Sequence, residues 1–321
     1  RGRRLPHNPL SGRDTQVRGD RPLSGEAWTV LKIIQWTTEY LKGKGIDNPR
    51  LDSEVLLANL LKLDRVGLYL NFDRPLSKDE LSSFREIVKR RGSREPLQYI
   101  TGHQEFWSLD FKVTPDVLIP RPDTEILVEE ALRAVRSSEP INSKLILDLC
   151  TGSGCIAISL AHELKGAVVY ALDASEAALA IARENAETNG VLDRVTFLKG
   201  DLYRALENHP PTTDHRPLIF DLIVSNPPYI KDIDIPNIQP EVRDYEPRMA
   251  VDGGTEGLDF YKRIVADAPN YLSPHGWLMV EVGEGQADAV SKMMADTGAF
   301  EGISTVKDLA GIERVVKAHK K

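Results

Sequence analysis

Cysteine is nearly absent. The 321 residues contain two, Cys150 and Cys155. Two thiols cannot staple a chain of this length, and they flank one glycine-rich loop. They read as free thiols in a reducing compartment, so the expected location is cytoplasmic. None of the seven histidines joins a cysteine pair at zinc spacing, and no metal is expected. Long apolar runs are missing too. None approaches the ~18 residues of a membrane span, and no secretory signal pattern is visible. A basic excess is also lacking: 41 basic residues face 48 acidic ones, for a net charge of −7 and a pI near 5.6. Nucleic-acid binders usually carry the opposite balance, so neither direct nucleic-acid binding nor membrane association is expected. A monomer is expected. What remains is ordinary globular material, 41% apolar and 28% charged, and at roughly 100–200 residues per domain the length suggests two domains.

Residues 1–24 are rich in Arg, Pro and Gly without apolar periodicity, and read as a disordered or cloning-derived extension. An organellar transit peptide is the sharper alternative; Asp14 and Asp20 count against it. Residues 25–100 carry helical patterning. Ala27, Val30, Leu31, Ile34 and Leu41 make one stripe, Asn48-Pro49 reads as an N-cap followed by proline at the first helical position, and Ser77 to Glu80 is a capping box. This reads as a small helical bundle without a catalytic constellation. Residues 101–120 alternate aromatic and β-branched residues with polar ones, the pattern of a β-hairpin linking two domains. From 121 to 321 near-continuous apolar strands alternate with helices, and a strand pair closes the chain. The expected fold is α/β, a doubly wound sheet.

Two stretches carry chemistry. In "ILDLCTGSGCIA" a strand ends at Asp148-Leu149, a turn runs through Thr151, Gly152, Ser153 and Gly154, and a helix follows. Such a turn lets a ligand approach the backbone at a helix N-terminus. Asp173 ends the next strand, 25 residues after Asp148, where a carboxylate reaches ribose hydroxyls. The bland alternative is an ordinary strand–helix turn, with Asp173 capping the next helix. The turn alone leaves NAD and S-adenosylmethionine both open. Asp148 before the turn, placed to accept from an amino group, and Asp201 after the third strand, placed to accept from an adenine amino group with Leu202 against the ring, favour the cationic cofactor.

The second stretch is Asn226-Pro227-Pro228-Tyr229, after the strand "DLIVS". Proline ends a strand and fixes its own φ. The Asn226 side-chain oxygen and the Pro227 carbonyl can accept both hydrogens of one –NH2 group, aiming its lone pair at a sulfonium methyl. Asn226 thus borders cofactor and substrate alike, and Tyr229 offers a face to a planar group. Together the motifs point to a class-I methyltransferase acting on a planar nitrogen.

From about Glu26 onward the chain resembles the peptide chain release factor glutamine N5-methyltransferases, the PrmC/HemK family. The resemblance rests on "EPLQYITGHQEFWSLDFKVTPDVLIPRPDTE" (95–125), "DLCTGSG" (148–154), "SNPPYI" (225–230), "YEPRMAVDGGTEGLDFYKRI" (245–264) and "EVGEGQ" (281–286). Position 150 departs from the family's usual glycine. The resemblance implies a helical N-terminal domain, a β-ribbon, and a seven-stranded Rossmann-like catalytic domain; the helical domain, which has no chemistry of its own, is expected to dock the substrate. It implies methyl transfer from S-adenosylmethionine to the glutamine of the Gly-Gly-Gln loop of class 1 release factors. The cofactor loop would be Cys150 to Gly154, with Asp173 on the ribose. Asn226, Pro227, Pro228 and Tyr229 would hold the glutamine, and Phe106 and Arg121 would line the same pocket. Two other readings stand beside it. An adenine-N6 nucleic-acid methyltransferase shares the Asn-Pro-Pro-Tyr motif, and an NAD-dependent oxidoreductase would leave that motif unexplained.

Overall fold

The computed structural model describes residues 27–137, 144–207 and 218–321. The expectation for residues 1–24 lies outside these. The chain divides into two compact units, with the boundary between Ile100 and Thr101.

The first unit is helical: α1 (Val30–Gly43), α2 (Pro49–Leu61), α3 (Arg65–Leu70), α4 (Lys78–Gly92) and α5 (Leu97–Thr101), the last straddling the boundary. The face that α1 buries is Val30, Ile33, Ile34, Thr37 and Leu41. Ala27 precedes the helix and Leu31 is only half-buried, so the stripe is rotated from the expected one. Helix α4 starts on the full capping box: Glu80 N–H donates to Ser77 Oγ at 3.1 Å, and Ser77 N–H donates to Glu80 Oε2 at 2.8 Å. Pro49 opens α2 as expected, but Asn48 makes no side-chain cap bond. The core gathers Val30, Ile34, Leu56, Leu57, Leu68, Phe84 and Val88.

The second unit opens with an antiparallel ribbon, β1 (His103–Phe106) and β2 (Leu109–Lys112). Trp107 and Ser108 make its turn with φ of +54° and +57°, the left-handed pair that suits the twist of a two-residue hairpin. The ribbon is fastened to this unit. Phe106 and Phe111 are buried among core residues, Lys112 N–H donates to Asn185 Oδ1 at 2.7 Å, and Trp107 N–H donates to Glu125 Oε1 at 2.8 Å.

There follow α6 (Thr124–Ser137), β3 (Leu145–Leu149), α7 (Cys155–Glu163), β4 (Val168–Asp173), α8 (Glu176–Thr188), β5 (Val195–Lys199), α9 (Arg204–Glu207), β6 (Phe220–Ser225), α10 (Pro240–Tyr245), α11 (Asp259–Tyr271), β7 (Leu272–Glu281), α12 (Ala287–Asp296), β8 (Phe300–Lys307) and β9 (Glu313–Lys320). Among the described residues the main sheet has seven strands in the order β5-β4-β3-β6-β7-β9-β8. The first five run parallel, and β9 alone is reversed, pairing antiparallel with β7 on one side and β8 on the other. Apolar clusters cover both faces, which is why the central strands read as continuous apolar runs. Strand order reverses between β3 and β6. The crevice beyond their carboxyl ends is where an open α/β sheet binds its ligand, and both motifs stand there.

Candidate active site

The loop after β3 is wound by three consecutive demands for left-handed backbone: Cys150, Gly152 and Gly154 have φ of +60°, +56° and +83°. Glycine meets these freely, whereas Cys150 adopts one at a cost. Gly154 is also steric, since a Cβ there would stand 2.8 Å from Ile158 and 3.1 Å from Ala182. Asp173 closes the turn. Its Oδ2 accepts from Gly152 N–H at 2.9 Å and its Oδ1 from Ser175 N–H at 2.8 Å. Burial raises its pKa, and these backbone donors pull it part of the way back. The cap of α8 is Ser175, whose Oγ accepts from Ala178 N–H at 3.1 Å, so capping does not explain Asp173.

An open cavity lies over this loop, lined among others by Cys150, Gly152, Asp173, Asp201, Leu202 and Asn226. Asp148 is not on the wall. It is fully buried behind the loop, where it accepts from Thr151 Oγ1 at 2.6 Å, and burial pushes its carboxyl up to about 7. The expectation that it meets a ligand amino group is corrected: it shapes the loop from beneath. Thr151, Ser153 and Gly154 are likewise buried off the wall: the turn carries the Thr151 and Ser153 side chains inward, and Gly154 packs against Ile158 and Ala182. Asp201 is on the wall, but its carboxylate also pairs with Arg263 at 2.6 Å. Leu202 is buried with φ +52°.

Asn226 lies on the wall shared with a second cleft, which Pro227, Tyr229 and Arg121 also line. Pro228 faces the first cavity. The Asn226 amide is oriented: Nδ2 donates to Thr124 Oγ1 at 3.1 Å. Behind them lies the Glu281 carboxyl, fully buried and pushed up to about 7 by desolvation, against hydrogen bonds from Thr124 and Asn226 that pull it down. With Nδ2 committed on that side, Oδ1 is the atom left for a ligand. Around Tyr229 the backbone is crowded. Its carbonyl accepts from Gln286 Nε2 at 2.9 Å, Ile230 is hydrogen-bonded to Val251 and Gly253, and a Cβ at Gly257 would stand 2.4 Å from the Tyr229 oxygen. Burial lifts the Tyr229 phenol well above its ordinary range, so it stays protonated.

Arg121 is held by Glu246 at 2.6 Å, and the same carboxylate accepts from Ile119 N–H at 3.3 Å. Phe106 does not line the second cleft. Its side chain is 1% exposed and packs edge-on to Phe111, with ring centroids 6.0 Å apart. Strand alternation turns it into the core, and its assignment to the pocket is corrected. Thr124, Glu246, Glu281 and Gln286 were missed as site-forming residues. All stand inside the stretches that carry the family resemblance, but nothing local in those stretches indicates what they touch.

S-adenosylmethionine fits the residues present: a glycine turn that admits close approach, a half-buried carboxylate on the cavity wall for hydroxyls, and an oriented amide at the junction of two clefts. Residues 32–102 match the model of the PrmC N-terminal domain, and residues 123–240 match that of the methyltransferase small domain. The chain is 53% identical to the release factor glutamine methyltransferase of Geobacter sulfurreducens, over 91% of this chain and 96% of that protein. It is 43% identical to the one of Moorella thermoacetica, over 91% and 99%, and 39% identical to the one of Rhodopirellula baltica, over 91% and 97%. Among solved structures, the hMettl16 catalytic domain in complex with an RNA hairpin superposes with a TM-score of 0.51 at 16% identity, over 75% of this chain and 82% of that one, which is a likeness of fold. These matches set aside the NAD-dependent oxidoreductase, and with the cleft geometry they lead to one statement of kinship: the chain belongs to the family of release factor glutamine methyltransferases.

Proposed function

We propose that this protein transfers a methyl group from S-adenosylmethionine to the side-chain amide nitrogen, N5, of the glutamine in the Gly-Gly-Gln loop of class 1 release factors. The observation that carries the reading is Asn226. It borders both clefts, and its Nδ2 is tied to Thr124. Its Oδ1 and the Pro227 carbonyl then accept the two hydrogens of the substrate amide, and Tyr229 packs against the amide plane. The cofactor, when bound, supplies an electrophilic methyl on a sulfonium. The chain's own residues hold the nitrogen in line, and pre-organised acceptors are effective because they need no reorganisation during the reaction. A methylated amide nitrogen becomes acidic as it forms, so no strong base is required and the proton leaves to solvent. The Asp173 carboxylate serves the ribose hydroxyls, with Leu202 and Asp201 beside the adenine. The adenine-N6 alternative is not favoured, since the curated relatives carry the release factor name and the charge balance is acidic. Mass spectrometry of a release factor incubated with the protein and cofactor tests the reading. One methyl group on the Gly-Gly-Gln glutamine is the expected result, and an unmodified glutamine with a methylated oligonucleotide would reverse the choice.

The domain assignment belongs to the same proposal: a docking domain at 25–100, a linker at 101–120 and a catalytic domain at 121–321. A glutamine side chain is too small to identify one protein, so selectivity requires further contacts, and the helical unit has its own core and no chemistry. A chain starting at Thr101 is expected to bind cofactor yet lose most of its kcat/KM on intact release factor. Full kcat/KM in the shortened chain would remove the docking role. A monomer suffices, because one chain lines both clefts, and a cytoplasmic location belongs to the same proposal.

A further inference from the structure

At the end of the sheet away from the clefts, three side chains distant in sequence converge. His275, Glu301 and His319 offer ligand atoms that all lie within 4.8 Å of one another. They stand on β7, β8 and β9. His319 pairs in register with Trp277 on one side and with Glu301 on the other. His275 precedes Trp277 in an irregular stretch of β7, where the pairing with β6 jumps from Leu272 to Trp277 and His275 itself has φ of +61°. Such an interruption re-aims a side chain, and here the imidazole is turned toward His319, their ring centroids 6.5 Å apart.

His319 Nδ1 is buried and has no hydrogen-bond partner. Glu301 Oε1 is 3.6 Å away, too far for a hydrogen bond. The Nε2 side of the ring is covered by Gly302, where a Cβ would come within 2.8 Å. The free nitrogen therefore faces the other two side chains. Positive charge nearby is already engaged: Lys317, two residues along β9, places its ammonium on Glu130, and Lys320 donates to the carbonyls of Pro269 and Leu272.

We propose that His275, Glu301 and His319 bind a divalent transition-metal ion of the zinc class, with water completing the coordination. Imidazole and carboxylate bind zinc at about 2.0–2.2 Å, which sets tetrahedral ligand separations near 3.3 Å. His319 and Glu301 are already close to that separation, and the exposed His275 and Glu301 side chains are free to close the rest. Two imidazoles select zinc, nickel, cobalt or copper over magnesium and calcium, which prefer all-oxygen sites. Trp277, where regular pairing resumes beyond His275, lies four residues before Glu281, roughly 13 Å along an extended strand. The ion clips the edge strands β8 and β9 to β7 and takes no part in methyl transfer.

The test is calorimetric titration of ZnCl2 into the untagged full chain, with reduced thiols and chelator-free buffer, beside the double variant His275→Ala, Glu301→Gln. The wild type is expected to show saturable one-to-one binding and a Tm that rises with zinc. The double variant is expected to bind more than tenfold more weakly and to show no zinc-dependent rise, with its methyl-transfer rate unchanged. Each single variant at these exposed positions gives the same comparison if the double variant folds poorly. Absence of saturable binding in the wild type, or equal affinity in the variants, overturns the site.

Discussion

Asn226 gains its role from a hydroxyl 102 residues away. Without the bond from Nδ2 to Thr124 Oγ1, only Glu281 remains to orient the amide, and its oxygen is held less firmly toward the substrate. Thr124→Val removes that bond at nearly constant volume and is expected to lower kcat about tenfold with cofactor affinity unchanged. Asn226→Ala deletes the acceptor itself and should cost ~10²–10³ in kcat, the usual loss for one pre-organised polar contact. Near-normal turnover of Asn226→Ala in steady-state assays would remove it from the mechanism. Asp173 acts on the other ligand. Charge-assisted hydrogen bonds contribute about 1.5–3 kcal/mol each, so Asp173→Ala should weaken S-adenosylmethionine binding more than tenfold by calorimetry. Because its oxygens also hold Gly152 and Ser175, circular dichroism must first show the variant folded; a folded variant with unchanged affinity rejects the assignment.

At the scale of elements, the turn after β6 is rigid because other loops press on it. Two prolines limit its own freedom, and the segment 252–257 and the turn before α12 close around Tyr229. Gly257 has φ +70°, and its missing side chain makes room for the Tyr229 carbonyl. Gly257→Ala adds both left-handed strain and a collision with backbone, which cannot step aside as a flexible side chain does. The expected outcome is a raised KM for the release factor and a lowered kcat, with cofactor affinity within about threefold of wild type. Equal loss of both affinities would mean that the change propagates into the cofactor loop instead.

For the whole molecule, burial of acids sets the pH response. Asp148 and Glu281 are each pushed up to about 7 by desolvation, and the same cause raises Glu246. Unfolded, Asp148 and Glu281 release their protons near pH 4–5, while in the folded chain they keep them until about 7. Their stabilisation is complete below the ordinary carboxylate range and is lost as pH rises through 7. Asp148 and Glu281 each contribute on the order of 3–4 kcal/mol across that interval. Acids with lowered pKa, such as Glu54, Glu80 and Asp308, act with the opposite sign but below about pH 5. Without cofactor, Tm should therefore fall between pH 5.5 and pH 8, and Glu281→Gln should flatten that fall and raise Tm at pH 8. A Tm that stays level across this range in wild type contradicts the buried-acid account.

What the sequence determined by itself is what acts over a few residues. Apolar runs alternating with helical stripes specify the α/β sheet, glycine after β3 specifies a left-handed turn, and proline after β6 ends a strand and stiffens an Asn. These are consequences of local backbone sterics and periodicity, so they were legible at once. The tertiary structure decided everything that depends on which distant residues meet. It turned Phe106 into the core, because pleat alternation assigns a face only once the ribbon has packed. It set Asp148 behind the loop that the sequence suggested it would line, bonded Arg121 to Glu246, and placed Thr124 and Glu281 behind Asn226. It also brought His275, Glu301 and His319 together, although no spacing along the chain connects them. Side chains separated by tens to hundreds of residues acquire a common site only through strand register and helix packing, and neither is written in any single stretch.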